Sequence, residues 1–266
     1  YRYLYRASLE LNLINHLFPS GGLTGISYFG VKISENDEIS GAKATLIQLM
    51  KLIMTILSYE FLLFIGLFIL AAFGKVNNIT ILVAGSLTTV LFGLTAIFAY
   101  VVGSQSRINE FFTALTRFIN WLSIKILRRR KEVINISRAK KIFNDFHDNY
   151  QNITKEYKKL NNPFWYAFLA NLTEVLVIYV VYLAFGKVVN IGALILAYGV
   201  ANFAGLISVL PGGIGIYEAL MTAVLASAGI PASVSLPVTI MYRVVNTLIQ
   251  LPPGFYFYHK TVNKAK

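Results

Sequence analysis

Pro211, Gly212, Gly213, Gly215 and Glu218 fall within eight residues of a long apolar stretch, and Arg243 follows in the next apolar run. The chemistry this set permits is recognition of an anion. Proline removes a helix donor, and glycine is a poor helix former, so the segment predicts a break. A helix restarting after it presents unpaired N–H groups, and that end favours phosphate. Glycines let a headgroup approach the backbone closely. Glu218 lies in the first turn after the break, where it either complements the helix N-terminus or meets a cationic group. Two unpaired charges at mid-depth in a bilayer would cost roughly 5–7 kcal/mol together. Glu218 and Arg243 are therefore expected to pair, to line water or to hold ligand. Asn246 and Gln250 share the face of Arg243, at i+3 and i+7, so that stripe is turned from lipid.

Other chemistry finds no residues. The chain has no cysteine, and its three histidines, His16, His147 and His259, form no ligand pair at helical spacing. No nucleophile elbow, P-loop or dinucleotide fingerprint occurs. No catalytic residue, metal or cofactor is assigned, and an enzyme is the less favoured reading. Glu60, Asn171, Glu174 and Asn202 also interrupt apolar runs. Each alone is more often an interhelical hydrogen bond, contributing about 0.6 kcal/mol.

These residues must be positioned by helices in a membrane. Hydrophobic residues make up 56% of the chain and charged residues 14%, and the mean hydropathy is +0.61. A soluble domain carries about 25% charged residues. The apolar residues are gathered in runs of roughly the 20 residues that cross a bilayer. The runs predict spans over 46–73, 79–103, 164–185 and 236–258. The apolar part of 214–228 is too short to cross, and 191–228 reads as one re-entrant element.

Residues 104–162 differ, with thirteen Lys/Arg against five Asp/Glu, a surplus of eight within the chain's net +12. The positive-inside rule makes this segment, and the lysine-bearing C-terminus, cytoplasmic. Phe111, Leu115, Phe118, Leu122 and Ile126 share one helical face, ahead of Arg128, Arg129, Arg130 and Lys131; a second stripe runs from Phe143 to Tyr157. These read as amphipathic helices, either lying on the inner leaflet or packed as a hairpin. In both cases the four-residue basic cluster faces anionic headgroups. Nucleic acid is not the expected partner, because the charge adjoins spans.

The opening stretch has an echo. Asn15 to Lys51 and Ile207 to Arg243 both run through an apolar lead, Pro, a glycine cluster, Gly-Ile and a polar turn into a span with an early cation. Pro19, Gly21 and Gly22 correspond to the later break, and Lys51 to Arg243. This makes 8–31 a second re-entrant element. The charge rule puts 32–43 inside and 229–235 outside, so the two elements have opposite orientations. Inverted repeats with broken helices are the architecture of many secondary transporters. The expected fold is an all-α polytopic membrane protein with two inverted Pro/Gly-broken re-entrant hairpins and cytoplasmic amphipathic helices.

At Pro211-Gly212-Gly213-Ile214-Gly215 with Glu218, then Gly229-Ile230-Pro231 and Arg243, the sequence resembles the lysylphosphatidylglycerol synthase transmembrane-domain family. That family includes the flippase-like membrane portion of the multiple peptide resistance factors. Pro19-Ser20-Gly21-Gly22 fits its earlier element more loosely. The resemblance implies a prokaryotic cytoplasmic membrane, further spans before Tyr1, and transbilayer movement of a phosphate-bearing lipid such as an aminoacylated phosphatidylglycerol. In full-length relatives a separate soluble domain makes that lipid. The partners implied are membrane phospholipids, anionic or aminoacylated, with a second copy of the chain left open. A membrane component of a lipid-modifying transferase and a non-transporting scaffold are the alternatives.

The topology is directly testable, since a chain without cysteine gives no background labelling. A single cysteine at Ser233 is expected to react with an impermeant maleimide from outside, and one at Ser137 only from the cytoplasm. Labelling of both from one side would refute the opposed orientations.

Overall fold

The computed structural model describes residues 2–17, 28, 29, 32, 41–73, 78–107, part of 109–121, 160–207 and 213–264. Its principal helices are α1 (Arg2–Leu17), α2 (Gly41–Ala72), α3 (Asn78–Val102), α4 (Asn161–Ala184), α5 (Ile191–Ile207), α6 (Ile216–Ser227) and α7 (Ala232–Lys264). No strand occurs among the described residues. The helices overlie the apolar runs, and α7 continues past its run at both ends. Pro19, Gly21, Gly22, Arg128, Arg129, Arg130, Lys131, Pro211 and Gly212 lie outside the described residues, as does most of the basic segment. The first Pro/Gly element is therefore not compared with the second.

The surface has the character hydrocarbon demands. α2 buries Leu62, Leu63 and Leu70, yet its opposite side exposes Phe61, Phe64 and Phe68. α3 exposes Leu82, Phe92 and Ile97, and α7 exposes Ile240, Val244 and Leu248. A helix apolar on all sides belongs in a protein core or a membrane. Three described helices are long and apolar enough to cross, Met50–Ala72, Asn161–Ala184 and Ala232–Thr261. A fourth joins them if the bent pair Thr88–Val101 and Gln105–Phe111 is one span.

α5 is the central element. Ala193, Leu194, Ile195, Leu196, Ala197, Tyr198 and Ala201 are all buried, so over 193–199 it turns no face to lipid. It packs against α2, α3, α4 and α6. Its first turn is capped by Asn190, whose Oδ1 accepts from the Gly192 N–H at 2.8 Å and the Ala193 N–H at 3.3 Å. At 1.5 Å per residue, α5 is about 25 Å long and α6 about 18 Å. Both fall short of the hydrocarbon thickness.

Small residues bring α5 onto α2. A Cβ added to Gly192 would sit 2.6 Å from the Gly66 carbonyl oxygen, and one added to Gly199 3.0 Å from Leu63 Cδ2. Such close backbone approach replaces the hydrophobic drive that helices lack between themselves in lipid. α1 uses the same device on α7, where a Cβ on Gly254 would meet the Leu9 carbonyl at 2.7 Å. α6 ends in a Schellman closure: the Gly229 N–H donates to Ala226 O at 3.0 Å and the Ile230 N–H to Leu225 O at 2.9 Å. Gly229 supplies the left-handed φ of 86° that this closure requires.

Gly192→Ala is expected to lower the thermal stability of the detergent-solubilised protein by about 1–3 kcal/mol, through overpacking against backbone that cannot retreat. Gly85→Ala, whose Cβ would meet nothing within 4 Å, is expected to leave stability unchanged or raised. Equal effects from both would mean that the α2–α5 contact is not tight.

Candidate functional site

The restart of the chain into α6 is built from Gly213, Gly215 and Glu218. Gly213 and Gly215 have φ of 66° and 88°. Gly215 combines its positive φ with a ψ of −49°, which an L side chain would make costly. It is the N-cap of α6. Having no side chain, it cannot return a hydrogen bond, so only one half of a capping box forms. That half is supplied by Glu218, whose Oε2 accepts from the Gly215 N–H at 2.6 Å.

The other carboxylate oxygen, Oε1, accepts from Arg243 Nη1 on α7. The Arg243 guanidinium also lies over the Tyr217 ring, 5.1 Å from its centroid. The side chains of Arg243 and Glu218 are only 21% and 16% exposed. One carboxylate therefore serves both roles that the sequence left as alternatives: it complements the helix N-terminus and it neutralises the cation. The arrangement brings backbone N–H, guanidinium and carboxylate together in a largely apolar setting. Both the Gly215 N–H and the Arg243 guanidinium are donors suited to an anion, and Glu218 occupies both.

A second polar group lies beside it on α7. Tyr242 O–H donates to Glu174 Oε2 of α4 at 2.5 Å, and Asn246 Nδ2 donates to the same oxygen at 3.3 Å. Gln250 Nε2 donates to Asn246 Oδ1 at 2.5 Å. Asn246 thus turns to α4, while Arg243 turns to α6. Lys51 is placed elsewhere again, in a cavity between α2 and α4.

The remaining polar residues in spans act between helices. Glu60 is buried and accepts from Thr95 Oγ1 of α3 at 2.9 Å. Asn171 donates to Ser58 Oγ on α2, and its Oδ1 accepts from Tyr198 O–H of α5 at 3.4 Å. Asn202 instead donates to the Tyr198 carbonyl of its own helix at 2.8 Å. Sequence reasoning passed over Tyr59, Tyr198, Tyr217 and Tyr242, which join one packed cluster. Tyr242 carried a usable signal: it adjoins Arg243 and stands i−4 from Asn246, on the stripe already turned from lipid.

The ion pair is expected to be coupled. Arg243→Ala and Glu218→Ala should each destabilise the protein by about 3–5 kcal/mol, because each leaves a charge uncompensated. The double substitution should cost less than their sum by roughly 1–3 kcal/mol. Additive losses in thermal unfolding would show that the two charges are independent.

Comparison with known proteins agrees with this architecture. A UPF0104 membrane protein of Methanothermobacter thermautotrophicus is 26% identical over 148 residues, 50% of this chain and 44% of the relative. A UPF0104 membrane protein of Methanocaldococcus jannaschii is 22% identical over 250 residues, 91% of this chain and 69% of the relative. One from Pyrococcus horikoshii is 24% identical over 102 residues, 38% of this chain and 30% of the relative. The chain therefore spans less than half of two of these relatives and about two thirds of the third. No solved structure matches it. The profile of the lysylphosphatidylglycerol synthase transmembrane region matches residues 1–254, and the chain belongs to that family of membrane proteins.

Proposed function

We propose that the chain binds a phosphate-bearing lipid, such as an aminoacylated phosphatidylglycerol, and moves it between the leaflets of a prokaryotic cytoplasmic membrane. The observation that carries this reading is Glu218, which joins the restart of α6 to Arg243. At rest this carboxylate supplies the negative charge that a lipid phosphate would bring. Arg243, the glycines at 212, 213 and 215, and the backbone after Pro211 are the proposed phosphate contacts. Asn246, held to Glu174 of α4, adjoins these contacts on α7 but is turned away from them.

In this reading α5 and α6 are the limbs of a hairpin that enters and leaves by one face. Two features support it: both helices are too short to cross, and they pack against each other. Backbone broken at this depth is tolerated where protein or a wet cavity covers it, and the burial of α5 supplies such cover. Pro19, Gly21, Gly22 and Lys51 form the inverted counterpart. The basic segment at 104–162, with Arg128 to Lys131, faces the anionic headgroups of the cytoplasmic leaflet.

The test is leaflet exposure of a labelled lysylphosphatidylglycerol in proteoliposomes, with thermal unfolding as the control for folding. Gly212→Ala combined with Gly213→Ala should insert normally and lose translocation. Arg243→Ala should lose it as well. Glu218→Gln should be milder, since the amide oxygen still accepts from the Gly215 N–H. Normal translocation by the double alanine variant and by Arg243→Ala would reduce the break to a packing feature. The chain would then be a scaffold or a transferase component.

A further inference from the structure

The N-terminal halves of α2 and α4 enclose a cavity of about 470 Å³, within the range of small-molecule sites. Its walls are apolar, with Ile47, Met50, Met54, Pro163, Tyr166 and Ala170 among them, and Lys51 is the one charged residue among the described residues of its lining. Among the described residues no carboxylate pairs with the Lys51 ammonium. A cation on the lining of an otherwise apolar cavity suits a ligand with an anionic end and an apolar body.

The cavity's extent narrows the class of ligand. It reaches from Leu160 to Asn171 along α4, about 16 Å at 1.5 Å per residue. That is close to half the hydrocarbon thickness of about 30 Å, the depth of one leaflet. Lys51 lies one helical turn along α2 from Ile47, the first α2 residue on the lining, a distance over which its stem can carry the ammonium toward headgroups. Leu160, at one end of that lining, follows the basic segment in sequence, so on the proposed topology this end lies toward the leaflet whose anionic lipids that segment would attract. The inner end is closed by Asn171, which is 6% exposed and hydrogen-bonded to both α2 and α5.

We infer that this cavity holds one acyl chain of an anionic phospholipid of the leaflet adjoining the basic segment, with the lipid phosphate on Lys51. This rests on the reading that the chain handles lipid, but it requires binding only and not translocation. The site is separate from Arg243, and an acyl chain filling it would end against the Asn171 contact to α5.

The experiment is native mass spectrometry of the delipidated full chain in detergent, titrated with dioleoyl phosphatidylglycerol, dioleoyl phosphatidylcholine and glycerol 3-phosphate. Wild-type protein should prefer phosphatidylglycerol over phosphatidylcholine by about fivefold, the factor expected for one lysine beside a headgroup of net negative charge whose phosphate no choline cation offsets. Lys51→Ala should abolish that preference and Lys51→Arg should keep it. Ala170→Phe, which fills the cavity from an exposed position, should weaken both lipids, while Gly85→Ala, whose added Cβ meets nothing within 4 Å, should leave both unchanged. Glycerol 3-phosphate should not bind measurably without a chain to anchor it. Wild-type lipid binding by both Lys51→Ala and Ala170→Phe would overturn the inference. So would binding of glycerol 3-phosphate as tight as that of the lipid. Cavity binding that persists while translocation is absent would instead sink the proposed function and leave this site standing.

Discussion

The constraint on which the structure depends is that polar groups inside hydrocarbon must find their partners within the protein. Water is not available there, and each unmatched group costs several kcal/mol. Glu218 answers this for three groups at once: its own charge, the guanidinium of Arg243 and the orphan N–H of Gly215. The choice of residue follows from the geometry. An aspartate, one methylene shorter, would have less reach across to α7. A glutamine would satisfy the backbone and leave the cation uncompensated.

The same logic orders the rest of the bundle. A helix too short to cross must end where lipid cannot reach its termini, and α5 is surrounded by α2, α3, α4 and α6. Surrounding it that closely needs residues without side chains, which Gly66, Gly192 and Gly199 provide. Asn190 then satisfies the first turn. The exposed phenylalanines of α2 are the complement of this arrangement, since the outer helices need only present hydrocarbon to hydrocarbon.

Much of the fold was legible because a bilayer demands a crude signal. Run length alone located the helices at 46–73, 79–103, 164–185 and 236–258. Gly213 and Gly215, both at positive φ, mark the restart into α6, while Pro211 and Gly212 lie outside the described residues. Glu218 and Arg243 were expected to pair, to line water or to hold ligand, because an unmatched charge in an apolar run is costly, and the structure shows the pair. Partner choice among neutral polar residues was not legible. Nothing in the sequence tells whether Asn246 turns toward Arg243 or toward Glu174, because helix rotation is set by packing that involves distant residues. The tyrosines were missed for a related reason. A tyrosine in an apolar run reads as an aromatic surface residue until three-dimensional neighbours bury it, as they do Tyr198 and Tyr217.

The closure at Gly229 bears on how the molecule can move. Leu225 O and Ala226 O are both engaged by the turn, and Pro231 O accepts from the N–H groups of Val234 and Ser235 at 2.9 and 3.0 Å. No slack remains between α6 and α7. The two helices form a stiff elbow whose angle is locked by backbone hydrogen bonds rather than by side chains. A torque on α6 is therefore delivered to α7 as a lever delivers it, and from there to α1 through the backbone contact at Gly254.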